Sequence, residues 1–453
     1  MSKIVKTDVE FEMPKDVICI IDTLKNKGYE AYVVGGAVRN SLLNIPVKDW
    51  DIATNALPTQ VCNIFKELEF NVIETGLKHG TVTVMIKHIG YEITTYRIDG
   101  EYQDNRHPDK VKFISSLKQD LARRDFTINA MAYNYEKGLI DPFSGLEDLN
   151  NKTIRCVGYP KDRFSEDALR MMRAIRFSAQ LGFYINRNIK DSIRDLHENL
   201  NNVSMERMRD EFNKILLSDS NNIYELISLY LTDCFIPELN KIEEFNQNNP
   251  YHDLDLLAHT LKSVKLIENQ LHLKLTMLFH DFGKVKTRTN DEDGISHYYQ
   301  HPSVSVEIAS EILDRMKYDN YTKDKVLTLI RCHDCNLESK KSIKRALNKM
   351  GEDLLRDLIK VKWADILAQN PIYAKERLIK LVKTEQILNE IINQKECFSV
   401  KDLAIKGKDL IELGYKQGIE IGHTLNELLQ MVIEDNSINE KEKLIHIVKK
   451  LKE

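Results

Sequence analysis

The 453-residue chain lacks any run of about 18 uncharged apolar residues, the length that a bilayer-spanning helix needs. Its opening stretch, MSKIVKTDVEFEM, has no apolar core of the kind that a secretion signal carries. No membrane association is expected, and the expected location is the cytoplasm. Cysteine is sparse. Its seven copies, at 19, 62, 156, 234, 332, 335 and 397, are odd in number and scattered, which fits reduced thiols better than a disulfide framework. Cys332 and Cys335 form a lone CxxC around His333 and Asp334, with no second pair to complete a four-ligand zinc site. Neither sign of charge dominates. With 65 basic and 69 acidic residues and a net charge of -4, global charge neither announces nor excludes a nucleic-acid partner, so only local patches can decide. No sequence repeat, low-complexity linker or sign of an obligatory protein partner is apparent.

Glycine is scarce in the later part: ten of the 18 precede residue 160, and then only Gly182 occurs before Gly283. Turn-rich sequence therefore gives way to a long helical pattern. In the first part a helix over about residues 15–27 precedes a strand at YEAYVV, and TVTVMI and YEITTYR alternate as strands do. Further on, EDALRMMRAIRFSAQLG, MERMRDEFNKILL and LIKLVKTEQILNEIINQ read as helices. With 42% hydrophobic residues available for cores, the expected fold class is α+β, a mixed sheet with helices followed by an all-helical remainder.

What is present is chemistry. In VKDWDIAT, residues 47–54, Asp49 and Asp51 point the same way if the segment is a strand, while Trp50 and Ile52 point the other way. Two unpaired carboxylates that close raise each other's pKa, and a divalent cation is the usual remedy. Just upstream, VVGGAVRNSLL places Gly35 and Gly36 at a strand-to-helix turn with Arg39 in the first helical turn. Taken alone this is a tight turn. Beside DxD it becomes a seat for a triphosphate, made of free helix-start N–H groups and a guanidinium. Carboxylates beside a triphosphate imply two Mg²⁺ ions, one activating an attacking hydroxyl and one steadying a pyrophosphate leaving group. A third carboxylate from a later segment often joins such a pair, and both Glu92 and Asp125 are candidates. ARRDFTINAMA, residues 122–132, offers Arg123, Arg124, Asp125, Thr127 and Asn129 at what reads as the head of a helix, where sugar hydroxyls and phosphates are held.

EDALRMMRAIRF, residues 166–177, spaces Asp167, Arg170, Arg173 and Arg176 by threes along a helix. Helix-surface ion pairs are the ordinary explanation of such spacing. Base chemistry gives another. Cytosine and adenine each offer an amino donor beside a ring-nitrogen acceptor, whereas uracil and guanine offer a carbonyl beside a ring N–H. A carboxylate with a guanidinium matches the first pair and mismatches the second, so this helix suits CTP and ATP without any nucleic-acid template.

Over nearly its whole length the chain resembles the bacterial tRNA nucleotidyltransferases of the poly(A) polymerase type. GGAVR with DWDIAT resembles that family's first catalytic motif and RRDFTINAMA its ribose-handling motif. DPFSGLEDL, residues 141–149, resembles the hinge, and EDALRMMRAIRF the amino-acid template that reads the incoming base. The resemblance implies CTP and ATP as substrates and a tRNA 3′ end as acceptor. It also implies Mg²⁺ on Asp49 and Asp51, and nucleotide contacts from Gly36, Arg39, Arg124, Asp167, Arg170, Arg173 and Arg176. One departure is Asn40, where the family usually has Asp; this removes a possible salt bridge to Arg39 or a neighbour and leaves the metal ligands intact. The resemblance further implies a head over 14–152, a template-bearing neck over 153–220, a helical body over 221–390 and a tRNA-binding tail over 391–453. YRIDGEYQDNRHPDKVKF, residues 96–113, resembles the loop that switches complete enzymes from C to A addition, and its polar character reads as a mobile loop. Lys-rich stretches such as SKKSIKRALNK have a charge pattern able to meet phosphates.

A separate signal occupies about residues 252–370. His259, the pair His280 and Asp281, and Asp365 follow the spacing of an HD-type phosphohydrolase bundle, with His297, His301 and His333 between. Four such ligands suit Mn²⁺, Ni²⁺ or Fe and leave open positions. Three other functions remain open from the residues. They are an A-adding enzyme or poly(A) polymerase, an HD phosphohydrolase whose head only binds nucleotide, and a non-catalytic RNA-binding protein.

Overall fold

The computed structural model describes residues 4–5, 11–99 and 111–452. The chain divides into two compact units, Met1–Phe235 and Ile236–Glu453. The expected α+β class holds: the first unit carries the main sheet and the second is almost wholly helical.

In the first unit the strands are β1 (Ile4–Val5), β2 (Ala31–Val34), β3 (Ile52–Thr54), β4 (Asn71–Ile73), β5 (Thr81–Ile86), β6 (Ile89–Thr95), β7 (Arg97–Asp99), β8 (Val111–Phe113), β9 (Ala132–Asn134), β10 (Gly138–Ile140) and the short parallel pair β11 (Thr153–Ile154) and β12 (Tyr184–Ile185). Eight of them form one mixed sheet in the order β1-β10-β9-β2-β3-β6-β5-β4. β7 and β8 pair antiparallel; the C-to-A loop expectation falls mostly between them, on residues 100–110, outside the described residues. The helices are α1 (Lys15–Asn26), α2 (Gly36–Leu42), α3 (Pro58–Glu67), α4 (Leu117–Ala122), α5 (Gly145–Asn150), α6 (Pro160–Glu166), α7 (Leu169–Leu181), α8 (Arg187–Leu196), α9 (Met205–Leu216) and α10 (Asn222–Ser228). β2 is buried on both faces because helices cover one side and a second layer covers the other. α1 turns Val17, Ile20, Ile21 and Leu24 inward. Tyr32, Val34, Ala53, Leu121 and Ala132 pack in the second layer. Each such aliphatic side chain removed from water contributes roughly 1.5–3 kcal/mol, so the strand that delivers Gly35 to the site is firmly anchored.

The second unit holds α11 (Leu256–Leu266), α12 (Leu271–Phe279), α13 (Lys284–Thr287), α14 (His301–Arg315), α15 (Asn320–Cys332), α16 (Lys340–Ala368), α17 (Pro371–Asn393), α18 (Gly407–Glu412), α19 (Ile419–Glu434) and α20 (Lys441–Lys452). Its apolar faces bury Leu257, Leu261, Leu275, Leu278, Leu329, Leu358 and Val361 around α11, α12, α15 and α16. Leu410, Leu428, Leu429, Val432 and Leu444 form another cluster under α18 to α20. Among the described residues no helix is long and apolar enough to cross a membrane.

Candidate active site

β3 begins one residue after Asp51, so DxD lies on the extended approach to the strand rather than within it. The ladder nevertheless reaches Asp51, whose carbonyl accepts a 3.0 Å hydrogen bond from the Val34 N–H. β3 runs parallel to β6 with Ile52 opposite Ile93, a register that puts Glu92 beside Asp51. The surrounding protein wall and then the charge of Glu92 raise the Asp51 carboxyl above its usual range, Arg124 partly offsets them, and Asp49 adds to the rise. Asp49 itself is exposed. Of the two candidates for a third carboxylate, Glu92 is the one that stands with Asp51. Asp125 is committed elsewhere. It accepts from Arg173 Nε at 2.8 Å and from the Phe126 N–H at 2.8 Å. Burial alone would raise Asp125, but Arg173 holds it down at about 2.

The Gly35 turn is shaped by Arg124. Gly35 has φ +69°, and a Cβ there would lie 2.9 Å from Arg124 Nη1. Only glycine combines that backbone with so close a guanidinium. Arg39 donates to Asn129 Oδ1 at 2.6 Å and to Asn40 Oδ1 at 2.8 and 3.1 Å. Asn40 thus retains a neutral hold on Arg39 where a salt bridge is lost. Arg123, Arg124 and Asp125 follow the end of α4 and precede a short 3₁₀ turn, Thr127–Asn129, instead of heading a helix. A 3₁₀ turn satisfies this short, buried segment between α4 and β9.

The expected template helix is two elements. Asp167 has extended backbone at the end of α6, and α7 starts at Leu169. The Arg170 N–H donates to the Asp167 carbonyl at 3.0 Å, while the two side chains reach toward other partners. Asp167 accepts from Arg207 on α9 at 2.8 and 3.3 Å. Arg170 pairs with Glu166 and donates at 3.1 Å to the carbonyls of Arg163 and Arg123. Arg176 pairs with Glu211 at 2.9 Å. The Phe177 ring lies under three guanidinium groups, with Arg176, Arg39 and Arg173 at 4.1, 5.0 and 5.4 Å from its centroid. Burial, together with the like charge of Arg176, brings Arg39 down to about 10.

Gly35, Gly36, Arg39, Asp51, Arg124, Asp125, Asn129, Asp167, Arg170, Arg173 and Arg176 line one cavity of about 460 Å³, shared with Arg123, Phe177 and Arg207. Seven of these are arginines and three are aspartates, so the cavity suits a polyanion. Sequence reasoning missed Glu166, Phe177, Arg207 and Glu211. Glu166 is four residues before Arg170, a spacing that signals an ion pair; Arg207 and Glu211 sit on a separate helix, with no local signal.

In the second unit His259 Nε2 lies 3.2 Å from Asp365 Oδ1 and 3.5 Å from Asp281 Oδ2. His280 Nε2 lies 3.2 Å from Asp281 Oδ2 and 3.6 Å from Asp365 Oδ1. All four side chains therefore converge. Asp281 also pairs with Lys284 at 2.7 Å. Burial opposes charge on His280, yet Asp281 and Asp365 overcome it and lift the imidazole to about 10. Burial and a positive His280 push His333 down to about 3. His301 and His333 adjoin Asp281, whereas His297 stands apart on Asp291 at 2.8 Å.

Residues 31–155 match the family model described as poly A polymerase head domain, residues 182–243 the one described as "Probable RNA and SrmB- binding site of polymerase A", and residues 288–448 the one described as "tRNA nucleotidyltransferase domain 2 putative". The CCA-adding enzyme of Ligilactobacillus salivarius is 35% identical over 97% of both chains. That of Pediococcus pentosaceus is 34% identical over 98% of both. The crystal structure of the Bacillus stearothermophilus CCA-adding enzyme in complex with CTP is 28% identical, covers 97% of this chain and 99% of its own, and superposes with a TM-score of 0.73.

Proposed function

Because the chain belongs to the family of CCA-adding enzymes, which are nucleotidyltransferases, we propose that it adds C, C and A in turn to the tRNA 3′ end from CTP and ATP. The observation that carries this is the single arginine-lined cavity uniting the Gly35 turn, Asp51, Arg124 and the Asp167 to Arg176 segment. In each cycle the 3′ oxygen of the tRNA bonds to the α-phosphorus, the bond to the β-phosphate oxygen breaks, and pyrophosphate leaves. A cytoplasmic setting, with free access to both nucleotides, accords with this substrate pair.

The reaction in this family depends on metal, and the donors here fit Mg²⁺. Asp49, Asp51 and Glu92 offer oxygen donors, and Asp51 is held above its usual pKa first by burial and then by the charge of Glu92, which Arg124 offsets only in part. Asp49 and Asp51 would hold two ions, with Glu92 as the third carboxylate; bound, they assist ionisation of the hydroxyl and offset charge on pyrophosphate. Arg39 and Arg124 seat the phosphates. Asp167 accepts from the exocyclic amino group of the base and Arg170 donates to its ring nitrogen. The two need no bond to each other for this, since each addresses a different atom of the base. Arg207 holds the Asp167 carboxylate in place. Asp125 fixes Arg173, and Asn129 with Asn40 fixes Arg39. Residues 14–152 act as head, 153–220 as neck, 221–390 as body and 391–453 as tRNA-binding tail.

The test is incorporation into tRNA lacking its CCA, with CTP alone, ATP alone, both, or UTP with GTP, followed by sequencing of the ends. CC from CTP alone and a single A once ATP is added is the expected result. A alone, or a long A tail, would make it an A-adding or poly(A) enzyme; no incorporation would overturn the reading.

A second reading concerns the other unit. The convergence of His259, His280, Asp281 and Asp365 supports a metal site of the HD phosphohydrolase kind, taking Mn²⁺, Ni²⁺ or Fe. Metal-dependent cleavage of a phosphate ester that persists in Asp51→Ala and disappears in His280→Gln would test it.

A further inference from the structure

We propose that Cys332 and Cys335 form a reversible redox pair, in which exposed Cys335 reacts with the disulfide of an anionic low-molecular-weight thiol and buried Cys332 then closes an intramolecular bridge.

Backbone geometry sets the pair up. α15 ends at Cys332, and the Cys335 N–H donates to the Cys332 carbonyl at 2.9 Å. A turn closed by such a bond brings its end Cα atoms within about 7 Å, and bridged cysteines stand about 4.4–6.8 Å apart at Cα. His333, inside the turn, keeps helical angles of φ −60° and ψ −28°. A tight turn of this kind sets side chains three apart on the same side. The two sulfurs meet there, with the Cys332 thiol donating to the sulfur of Cys335. The turn is also fastened from α16 and α17. Lys362 Nζ donates to the His333 carbonyl at 2.7 Å and Thr384 Oγ1 to the Leu337 carbonyl at 2.9 Å.

Access and charge divide the roles. Cys335 is exposed and Cys332 is buried, so an incoming disulfide reaches Cys335. α15 points its negative pole at this turn, which disfavours a thiolate. The hydrogen bond from Cys332 nevertheless holds Cys335 below the ordinary thiol range, against burial and with help from Lys362 and Lys349 of α16. Burial pushes Cys156 up to about 12 and both Cys234 and Cys397 up to about 11, which leaves those thiols unreactive. Cys19 is the other exposed cysteine, and the next in the chain after it is Cys62.

Cys335 opens on a cavity of about 300 Å³ that Lys362, Arg377 and Lys380 also line. These three cations outnumber the carboxylates there, Asp334 and Glu338, so the space suits a disulfide whose ends carry carboxylates. In the first exchange the Cys335 thiolate bonds to one sulfur of the small disulfide, the S–S bond breaks, and one small thiolate leaves and takes a proton. Cys332 then gives its proton to water, bonds to the Cys335 sulfur and displaces the second small thiol. The protein loses two electrons and two protons, and the small disulfide gains them as two thiols.

The test exposes the reduced, native, full-length protein to oxidised glutathione, alkylates the remaining thiols and maps the peptides by mass spectrometry. A bridge between Cys332 and Cys335 that reduced glutathione reopens is expected, and Cys332→Ser should instead hold a stable glutathione adduct on Cys335. Oxidised glutathione should react about tenfold faster than cystamine, a cationic disulfide, at low salt. Equal rates or the reverse order would overturn the preference for an anionic partner. An adduct on Cys335 that never resolves in the parent would overturn the role of Cys332, and a bridge that reduced glutathione cannot open would overturn the reversibility. Cys19 modified as fast as Cys335 would overturn the choice of site, and an unmodified Cys335 would overturn the proposal as a whole. The parent map decides the bridge even if the variant fails to fold.

Discussion

The Asp167 carboxylate and the Arg207 guanidinium, 40 residues apart in the chain, meet at 2.8 and 3.3 Å. The pair ties the segment between α6 and α7 to α9. Arg207 therefore acts on base selection through Asp167. Arg207→Ala should lower the preference for CTP over UTP by about ten- to a hundredfold, the loss of one paired recognition contact. Arg207→Lys should restore part of it. Competitive incorporation with end sequencing measures both, and a purely structural role would lower incorporation of every nucleotide alike.

Asp51 and Glu92 should behave as partners. Asp51→Ala should reduce transfer by about a thousandfold or more, equivalent to roughly 4 kcal/mol in the barrier. Glu92→Gln should lower kcat about ten- to a hundredfold. Neither should melt below the parent in the absence of metal, because both remove like-charge repulsion. Single-turnover rates with saturating CTP, alongside thermal unfolding, check the pair.

Asp125 makes a pH prediction of definite sign. Burial would raise its carboxyl, but Arg173 holds it at about 2 in the folded protein against 3.8 as its ordinary value. A group with a depressed folded pKa gives stability that is present above about pH 4 and is lost as pH falls toward 2. Asp125→Asn should therefore cost about 2 kcal/mol near neutrality, with the gap to the parent closing across that window. Denaturant titrations at several pH values read it directly.

Gly35→Ala should damage binding more than folding. The backbone at φ +69° and ψ −129° lies outside the left-handed helical region and costs a residue with a Cβ about 1–3 kcal/mol, and the new carbon would displace Arg124 Nη1, which lies 2.9 Å from the Cβ position. KM for CTP should rise severalfold with a smaller change in kcat, measured by initial rates.

Local rules carried much of this molecule into view. TVTVMI is β5 from end to end, and MERMRDEFNKILL is α9 but for its last residue, because their alternation and 3.6-residue periods agree with the faces they bury. The Gly35 turn, Asp51, Arg39, Arg124 and Arg173, each singled out by its local motif, do line one cavity. Pairings between distant elements were not legible. The pairing of Asp167 with Arg207 depends on how α9 meets the segment before α7, which no spacing within residues 166–177 encodes, whereas Arg170 with Glu166 is an i,i+4 spacing. The choice between Glu92 and Asp125 likewise needed the parallel register of β3 with β6. The misjudged helix after Ala122 failed for a related reason, as a buried 3₁₀ turn is too short to show a period.

That register has a consequence for how the gene can change. Asp51 and Glu92 share a face only because Ile52 stands opposite Ile93. Side chains on a strand alternate, so a single codon gained or lost between either carboxylate and its neighbouring isoleucine turns one acid away from the other. The hairpin tip at Lys87 and His88, where β5 passes to β6, imposes no such rule. Length variation should therefore accumulate at that tip among functional versions of the protein, while the few residues around Asp51 and Glu92 keep a fixed count.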